Sequence, residues 1–570
     1  MTTIDQAFAD AVREHATREA ISDGQTTLTY AELDAVSNQL ARALHARHLL
    51  PGEPVGVHLD RGLATYEVFL GILKAGLVVL PFNPRHPGEH KAQMVRAAGP
   101  VLTVTDGDPP DGLPAESCLP VADLFAEAAE LPVEPVRPRT FTEAPAFILF
   151  TSGSTGVPKG VLIAHRGIAR VARNLTGFTP GPHDRFLQLA QPAFAASTTD
   201  IWTCLLRGGR LFAAPQEVPP LGDLARLIER ERITVLNLPV GLFNLLVEHH
   251  PETIAQASSV IVSGDFPSTD HLERALAVVG GDLFNAFGCT ENSALTAVHK
   301  ITAADLDTAE IPVGRPMPSV EMTVRDEELR ECPPGLIGEL CIAGDGVALG
   351  YLGDQVQTEK KFMRYEGGRL LRTGDLAKLT EDGEIVLAGR TDQMLKVRGF
   401  RVEPRHVEVT AEEFPGIHQA VAQAVSDQLV LWCVPSPEHE FSEREVLELL
   451  RARLPDYMVP SRVRALESFP RNANGKIDRK ALAARLDTGA STGPATDRLT
   501  AVVHSTLTDV AGNQEIGPDD RLLERGVTSL HLIDFGARLE ELTGVVLAPD
   551  EIVGAGTAHG VADLIRTKRS

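Results

Sequence analysis

A loop rich in glycine and hydroxyl side chains is the part of the sequence with the most evident capacity for chemistry. It contains Thr151, Ser152, Gly153, Ser154, Thr155, Gly156 and Lys159. Backbone N–H groups and hydroxyls in such a loop donate hydrogen bonds to phosphate oxygens, and a lysine offsets the phosphate charge. It is not a Walker A loop, because Lys159 is followed by glycine rather than by serine or threonine. The residues therefore predict a phosphate site, although a surface turn can have the same composition.

The elements that position this loop are predicted from hydrophobic periodicity. Residues 147–150 form a short apolar run, which predicts a buried strand that leads into the loop. From residue 1 to about residue 390 such runs alternate with helical patterns, which is typical of α/β layering. The proline-rich stretch 109–140 predicts a surface excursion. Helices are predicted over 31–46 and 221–230, and strands over 101–105, 234–238, 260–264 and 283–287.

The rest of the chain predicts two smaller units behind a large α/β core at 1–391. Residues 392–486 have their own apolar runs and a helical pattern at 443–454, which predicts a small α+β unit. Residues 487–496 are small and polar and are punctuated by glycine and proline, so they predict a flexible linker. In 497–570 apolar residues recur at helical spacing, which predicts an all-α module.

Composition limits the possible classes of function. A formal charge of −23 argues against nucleic-acid or anionic-membrane partners, which require basic patches. The six cysteines are scattered without a C-x-x-C pair, and the N-terminus has no signal-peptide pattern. The most apolar stretch, 68–82, is interrupted by Lys74 and is too short to span a bilayer. We therefore expect a cytoplasmic protein with reduced thiols.

Short motifs follow one another along the chain in a characteristic order. They lie at 28–33, 73–76, 150–160, 285–291, 338–344, 372–376, 389–401, 454–460 and 474–479. Through these motifs the sequence resembles the adenylation domains of nonribosomal peptide synthetases, within the acyl-adenylate-forming superfamily. The resemblance covers nearly the whole chain, and it implies that the protein activates a carboxylic acid with ATP.

The resemblance also implies where the triphosphate and its metal would be held. The loop at 151–156 and Lys159 would bind the β- and γ-phosphates. Thr290 would lie near the α-phosphate, where the reaction occurs. Glu291 matches the family's Mg²⁺-binding glutamate, and Mg²⁺ prefers such hard oxygen ligands.

Further motif residues are implied to complete the catalytic machinery. Phe287, in place of the family's common tyrosine, would stack on adenine, and Asp375 would hold the ribose hydroxyls. Arg390 would contact the ribose and a phosphate. Lys476 is implied to be the catalytic lysine that reaches the substrate carboxylate and α-phosphate, a role that suits a point charge on a long stem. Asp392 corresponds to the hinge about which the small domain changes position.

The module at 497–570 resembles a four-helix peptidyl carrier domain. Ser529 would carry 4′-phosphopantetheine, although a serine at a helix start is also a common N-cap. Val527 and Thr528 replace the glycine and the Asp or His that usually precede this serine. The resemblance implies two kinds of partner: a phosphopantetheinyl transferase, and a downstream condensation, ketosynthase or tailoring protein.

The acyl pocket departs from the family pattern at one position. Domains that activate α-amino acids have an aspartate after the motif phenylalanine, where this chain has Ala195. Burying an ammonium without a counter-charge costs several kcal/mol, so we expect an aryl, hydroxy, keto or N-masked acid. Asp200 is an alternative partner for a β- or aryl amine, or for the amine of an unusual α-amino acid. The other implied pocket residues are Ala196, Thr199, Asn237, Ile261, Ser263, Ala286, Ala294 and Leu295.

The sequence therefore predicts a ligase that forms an acyl-adenylate and loads the acyl group as a thioester on its own carrier domain. No condensation or thioesterase domain fits in the remaining residues, so an initiation or stand-alone module is expected. An acyl- or aryl-CoA ligase is a rival that Ser529 and the linker disfavour. A non-catalytic carrier scaffold is disfavoured by the joint presence of Lys159, Glu291, Asp375 and Lys476.

Overall fold

The structure is a computed structural model that describes most of the chain. The described residues are 2–153, 157–172, 177–214, 219–308, 310–365, 368–391, 394–397, 400–425, 428–436, 439, 441–470, 477, 479–483, 498–511, 516–525, 527 and 529–569. The predicted site residues Ser154, Thr155, Gly156, Asp392 and Lys476 lie outside the described residues, as does the predicted linker.

The large N-terminal core alternates helices and strands, as the sequence predicts. Its helices are α1 Ile4–His15, α2 Tyr30–Ala46, α3 Leu63–Lys74, α4 Gly88–Ala98, α5 Val121–Ala128, α6 His165–Ala169, α7 Ala195–Leu205, α8 Leu221–Arg230, α9 Val240–His249, α10 Pro251–Gln256, α11 Thr269–Val278, α12 Ala303–Leu306 and α13 Gln355–Lys361. Its strands are β1 Glu19–Ser22, β2 Thr27–Thr29, β3 Pro54–His58, β4 Val78–Pro81, β5 Leu102–Thr105, β6 Cys118–Pro120, β7 Pro145–Thr151, β8 Lys159–Ala164, β9 Arg185–Gln188, β10 Arg210–Ala213, β11 Val235–Pro239, β12 Ser259–Ser263, β13 Asp282–Cys289, β14 Ala294–Lys300, β15 Arg315–Pro316, β16 Val320–Arg325, β17 Gly338–Gly344, β18 Gly350–Tyr351, β19 Phe362–Tyr365, β20 Gly368–Leu379 and β21 Ile385–Arg390.

Three sheets organise this core. One has the order β15-β14-β13-β12-β11-β9-β10-β1-β2, and another has the order β18-β8-β7-β4-β3-β5-β6. Both are parallel in their centres and antiparallel at an edge. The third sheet, β16-β17-β20-β19 with β21 paired to β20, is antiparallel. Parallel strands are buried on both faces, which accounts for their continuous apolar runs in the sequence.

The remaining elements form a small α+β domain and a helical C-terminal module. The small domain contains β22 Leu395–Val397, β23 Phe400–Val402, α14 Pro404–Glu412, β24 Ile417–Val425, β25 Gln428–Pro435, α15 Glu443–Arg453, β26 Arg462–Ala465 and α16 Arg479–Ala483. The C-terminal module contains α17 Arg498–Val510, α18 Ser529–Thr543, α19 Pro549–Ala555 and α20 Ala558–Arg569. The module has its own apolar core, to which Phe535 and Leu539 of α18 contribute.

Local sequence explains where several helices begin and end. Thr29 and Glu32 form a capping box at the start of α2, in which the Thr29 backbone N–H donates to the Glu32 carboxylate at 2.8 Å. Helix α8 occupies the predicted range 221–230, because its apolar residues recur at helical spacing and face the core.

The proline-rich residues 109–140 contain two regular elements, β6 and α5. Leu124 and Ala128 of α5 are buried against the core, and α5 packs on α2. Proline marks the element boundaries here without preventing the elements, since Pro120 directly precedes the first turn of α5.

Candidate active site

A cavity of about 390 Å³ opens at the carboxyl ends of the central strands. Strands β9, β11, β12 and β13 are parallel, so these ends meet along one edge of the sheet, where α/β proteins commonly bind ligands. The small domain supplies another wall through Met394, Lys396, Phe400, Arg401 and Tyr457. The cavity therefore lies between two domains, and its shape depends on how they meet.

One end of the cavity contains most of the predicted acyl-pocket residues. Ala195, Ala196, Thr199, Asn237, Ser263, Ala286, Ala294 and Leu295 all line it. Ile261 is buried in the core beneath Ser263, two residues earlier on β12, and is not among the residues that line the cavity. Because most of the lining side chains are small, this end of the cavity has room for a ring.

Helix α7 presents its first turn to the cavity. Phe194 is the N-cap residue and Ala195 the first helical residue, so the positive end of the helix dipole is at the cavity wall. No side-chain oxygen is available at Ala195 to compensate for a cation. Electrostatics at this wall therefore oppose a substrate ammonium.

Asp200 lines the cavity one turn further along α7 and is almost completely buried. The Asn237 side-chain amide donates a hydrogen bond to its Oδ1 atom at 2.9 Å. Burial raises the pKa of the Asp200 carboxyl to about 8, and the Asn237 contact only partly opposes this. Near neutral pH the carboxyl is therefore mostly protonated and can both donate and accept a hydrogen bond.

The described part of the glycine-rich loop leads from β7 toward the small domain. Thr151 and Ser152 line the cavity, and the Ser152 hydroxyl donates to the backbone carbonyl oxygen of Arg401 at 3.1 Å. Gly153 has no room for a side chain, because a Cβ atom there would lie 1.9 Å from the Val157 carbonyl oxygen. The ammonium of Lys159 lies 5.7 Å from the centroid of the Tyr351 ring, and burial lowers the pKa of this lysine.

Glu291 is a buried carboxylate held by two partners. The Tyr351 hydroxyl donates to its Oε1 atom at 2.8 Å. Arg401, on β23 of the small domain, donates through Nη1 to both carboxylate oxygens at 2.9 and 3.0 Å. Burial alone would raise the pKa of Glu291, but Arg401 and Tyr351 outweigh it and hold this pKa below its usual value. The ion pair joins the two domains across the cavity.

Asp375 and Arg390 form a second ion pair at the cavity wall. They are paired directly opposite each other across β20 and β21, and the Arg390 guanidinium donates to the Asp375 carboxylate. The same guanidinium donates through Nη2 to the Thr373 carbonyl oxygen at 3.2 Å. The antiparallel register therefore places an acceptor and a cation side by side at this wall.

Aromatic side chains close the cavity where the two domains meet. The rings of Phe400 and Tyr457 stack with centroids 4.7 Å apart, and Phe194 lies against both. Phe287, at the end of β13, is buried and lines the cavity. These rings give the wall between the pocket and the small domain an apolar surface.

Comparison with known families and proteins accounts for this arrangement. Residues 8–352, more than half of the chain, match the AMP-binding enzyme family. The chain belongs to this family. Residues 406–476 match the AMP-binding enzyme C-terminal domain, and residues 497–565 match the phosphopantetheine attachment site family.

Individual relatives of this AMP-binding enzyme include peptide synthetases. It is 35% identical over 578 residues to one linear gramicidin synthase protein of Brevibacillus parabrevis, covering 98% of this chain and 11% of that protein. The chain thus spans only about a tenth of the length of this curated relative. Holo-PA1221, which contains adenylation and PCP domains, is 27% identical with a TM-score of 0.86 over 99% of this chain and 97% of that one. Klebsiella oxytoca NpsA, in complex with 3-hydroxyanthranilyl-AMSN, is 34% identical with a TM-score of 0.66 over 85% of this chain and 99% of that one.

Several predictions for this AMP-binding enzyme are confirmed by these similarities. They include the α/β core with a small C-terminal domain and a helical carrier, and an adenylate-forming ligase. ATP with Mg²⁺ and 4′-phosphopantetheine are confirmed as its cofactors. Among the described residues, no helix has the length and apolarity needed to cross a membrane.

The structure also shows site residues that the sequence did not single out. Arg401 and Tyr351 contact Glu291 directly, and Tyr457 and Gln191 line the cavity. Arg401 belongs to a family motif, which was the only signal available for it. Ser529 is the first residue of α18, as expected for a serine at a helix start.

Proposed function

We propose that the chain activates a carboxylic acid as its acyl-adenylate and then loads the acyl group on its own carrier domain. One observation carries this proposal: a single cavity joins the small-residue pocket at Ala195 to the polar groups at Thr151, Glu291 and Asp375. An acid in the pocket and a nucleotide along the polar groups would share this space. The phosphopantetheine attachment domain favours loading in cis over transfer to free CoA.

The chemistry of the first step requires positioning more than proton transfer. A carboxylate oxygen of the acid forms a bond to the α-phosphorus of ATP, and the bond from that phosphorus to pyrophosphate breaks. Asp375 would accept hydrogen bonds from the ribose, Phe287 would contact adenine, and Arg390 and Thr290 would lie toward the ribose and α-phosphate. Lys159 and the 151–156 loop would stabilise the departing phosphates.

Glu291 fits the predicted Mg²⁺ ion. It is a hard oxygen donor, and its buried charge requires a cation, a need that Arg401 meets in the present arrangement. When bound, the metal would neutralise charge on the phosphate oxygens. Lys476 would stabilise charge that develops between the carboxylate and the α-phosphate. Asp392 would be the hinge about which the small domain rotates, so that either Lys476 or the β22–β23 hairpin faces the cavity.

The second step would use Ser529 at the start of α18. The phosphopantetheine group, when attached there, supplies the thiol that takes the acyl group with release of AMP. A phosphopantetheinyl transferase would have to install the group, and a downstream condensation, ketosynthase or tailoring protein would receive the product. An acid with no amine or hydroxyl group has no nucleophile for an upstream acyl group, so an acid of that kind would start a chain, in an initiation or stand-alone module.

The substrate class follows from Ala195 and the shape of the pocket. We propose an aryl acid, a class supported by the aryl-adenylate analogue named for the NpsA relative. A hydroxyl or amino substituent on the ring would meet Asp200 and Asn237, whose polar atoms face each other at 2.9 Å. Ala195 also allows a non-aryl acid that lacks a free α-amine, such as a hydroxy, keto or N-masked acid.

The preference against α-amines gives a first prediction. Acids lacking a free α-amine should exchange pyrophosphate into ATP about tenfold or more faster than α-amino acids of equal size, because even a partly compensated charge is worth over ~1.4 kcal/mol. The measurement is ATP–pyrophosphate exchange with each amino acid paired with its hydroxy, keto or des-amino analogue. An Ala195→Asp variant is the matched control and should reduce or reverse the preference. If a proteinogenic α-amino acid is the best substrate of the wild type, the interpretation of Ala195 is wrong.

A second prediction concerns Asp200. Asp200→Ala removes the carboxyl group, and with it both the O–H donor and the oxygen acceptor that a ring substituent would meet. For hydroxy- or amino-substituted benzoic acids, the variant should lose about fivefold to tenfold in exchange kcat/KM, as expected for one buried hydrogen bond. Unsubstituted benzoic acid is the control substrate and should change little. An equal loss for all of these acids would mean that Asp200 only supports the fold of α7.

A further inference from the structure

Helix α18 of the carrier domain lies against the adenylation core along a narrow apolar stripe. Ile533 and Ala537 are one turn apart and pack into the cluster built by α8 and α9, which includes Leu224 and Phe243. The opposite face of α18 packs into the carrier's own core. Because the stripe contains one large and one small apolar side chain, polar contacts along its margins contribute much of the docking.

His249, the last residue of α9, makes the most buried of these polar contacts. Its Nε2 atom is 3.0 Å from Asp534 Oδ1, and its Nδ1 atom is 3.0 Å from Glu541 Oε1. Asp534 and Glu541 are seven residues apart, so they project from the same side of α18. The His249 side chain is only 10% exposed, whereas the other ion pair across this interface, Arg226 with Glu540 at 3.7 Å, involves an arginine that is 55% exposed.

The number of protons on His249 decides whether both contacts are favourable. An ionised carboxylate only accepts hydrogen bonds, and a neutral imidazole has one N–H group and one lone pair. Both contacts can be hydrogen bonds at the same time only when both ring nitrogens carry protons. A neutral ring would direct its lone pair at one of the two carboxylates, which costs more at Asp534, 13% exposed, than at Glu541, 61% exposed and open to water. The position of the ring between two carboxylates therefore favours the imidazolium.

The surrounding charges favour the protonated ring. Hydrogen bonding to Asp534 raises the pKa of His249 above its usual value, and Glu541 adds to this, although burial opposes both. Arg538 of α18 also pairs with Asp534, at 2.9 Å, and reduces, without abolishing, the effect of Asp534 on the pKa of His249. Other charged or titratable groups on the described helices around His249 include Glu248, at 4.0 Å, His250, Glu252, His271, Arg274, Asp223, Arg226, Asp509 and Glu540.

We propose that protonated His249 holds the carrier helix α18 against the adenylation core, so that the His249 imidazole binds a proton when the carrier docks. This inference rests on the proposed loading function and makes His249 a positioning residue for its second step. Separated from α18, His249 loses both partners and returns toward an ordinary histidine. Its pKa is therefore higher in the docked state, and its contribution to docking is complete at low pH and is lost as pH rises through the raised pKa.

Three single variants of the full-length holo protein test the proposal. The readout is the single-turnover rate of acyl transfer to the carrier, with pyrophosphate exchange as the measure of an intact adenylation core. His249→Gln should slow transfer about tenfold near neutral pH, since it cannot supply two charge-assisted donors, and should leave exchange unchanged. His250→Gln is the matched control, because His250 pairs only with Glu252 among the carboxylates within ion-pair distance in the described structure, and it should transfer as the wild type does.

His249→Arg separates charge from titration. Arginine stays charged at high pH. The carrier of this variant should therefore stay docked and accept the acyl group at a pH at which docking of the wild-type carrier is weakened. The ratio of wild-type to His249→Arg transfer rates cancels the ionisation of the thiol itself. We expect this ratio to fall about tenfold between about pH 6 and about pH 9, the range in which histidine titrates.

Several outcomes would overturn the proposal. If the ratio of wild-type to His249→Arg transfer rates did not change with pH, docking would not be linked to a proton. If His249→Gln transferred the acyl group as fast as His250→Gln, His249 would not hold the carrier in place. If His249→Arg loses exchange and is therefore misfolded, Asp534→Asn combined with Glu541→Gln should abolish the same pH dependence, and its persistence there would equally defeat the idea. Absence of exchange in the wild type with every acid would instead contradict the proposed function.

Discussion

Lys476→Ala should lower ATP–pyrophosphate exchange by on the order of a hundredfold or more, the loss typical of one charge that stabilises a transition state. The reason is that the ammonium would interact most strongly with the charge shared between the entering carboxylate and the α-phosphate. Ground-state binding of ATP would depend mainly on other groups, including Asp375 and Arg390, which line the cavity. The variant should therefore bind a non-hydrolysable ATP analogue with little change. Exchange kinetics and analogue binding by calorimetry are the two measurements.

The control for this variant is a lysine with no part in the cavity. Lys300 is 54% exposed and pairs with Asp282 at 2.6 Å on the surface of the core. Lys300→Ala should exchange pyrophosphate as the wild type does, since exposed ion pairs contribute little. Near-normal exchange by a folded Lys476→Ala protein would show that the lysine assigned from the motif is not the catalytic one.

Much of the fold follows from sequence because its elements are locally determined. Helix α8 matches the predicted range 221–230, and β11 and β12 lie within one residue of the predicted strands. In each of these elements the spacing of apolar residues places them on the face that packs against the core, so local and global preferences coincide. Within residues 109–140 no individual element is predicted from the sequence, yet β6 and α5 form there and α5 packs on α2.

The candidate site is predicted less completely, because it is made by contacts between distant residues. Glu291 and Arg401 are separated by 110 positions, and nothing in either local sequence says that they pair. Asp200 could have faced solvent, and only the packing of α7 buries its carboxyl and brings it to Asn237. The family pattern also places Ile261 in the pocket, and this stays a prediction, since Ile261 is buried on β12 two residues before the cavity-lining Ser263.

Ser529→Ala should abolish attachment of phosphopantetheine and therefore all loading of the acyl group, while adenylate formation continues. The Ser529 hydroxyl oxygen would form the bond to the phosphopantetheine phosphorus of CoA as 3′,5′-ADP leaves, and alanine has no oxygen to form it. Ser529 begins α18, and the cavity residues lie in the core and small domain, so exchange should be unaffected. Incubation with a phosphopantetheinyl transferase and CoA, followed by intact mass measurement, should show one added group on the wild type and none on the variant.

Ser505→Ala is the matched control for this experiment. Ser505 is an exposed serine in the neighbouring helix α17, where its hydroxyl donates to the Val502 carbonyl oxygen at 3.0 Å. This variant should be modified and loaded like the wild type. If the Ser529→Ala protein were still modified, at another serine, Ser529 would not be the attachment site, and Val527 and Thr528 would not be the residues that precede it. Loss of both modification and exchange would instead indicate that α18 stabilises the core through Ile533 and Ala537, and the assignment would then rest on peptide mapping of the wild type.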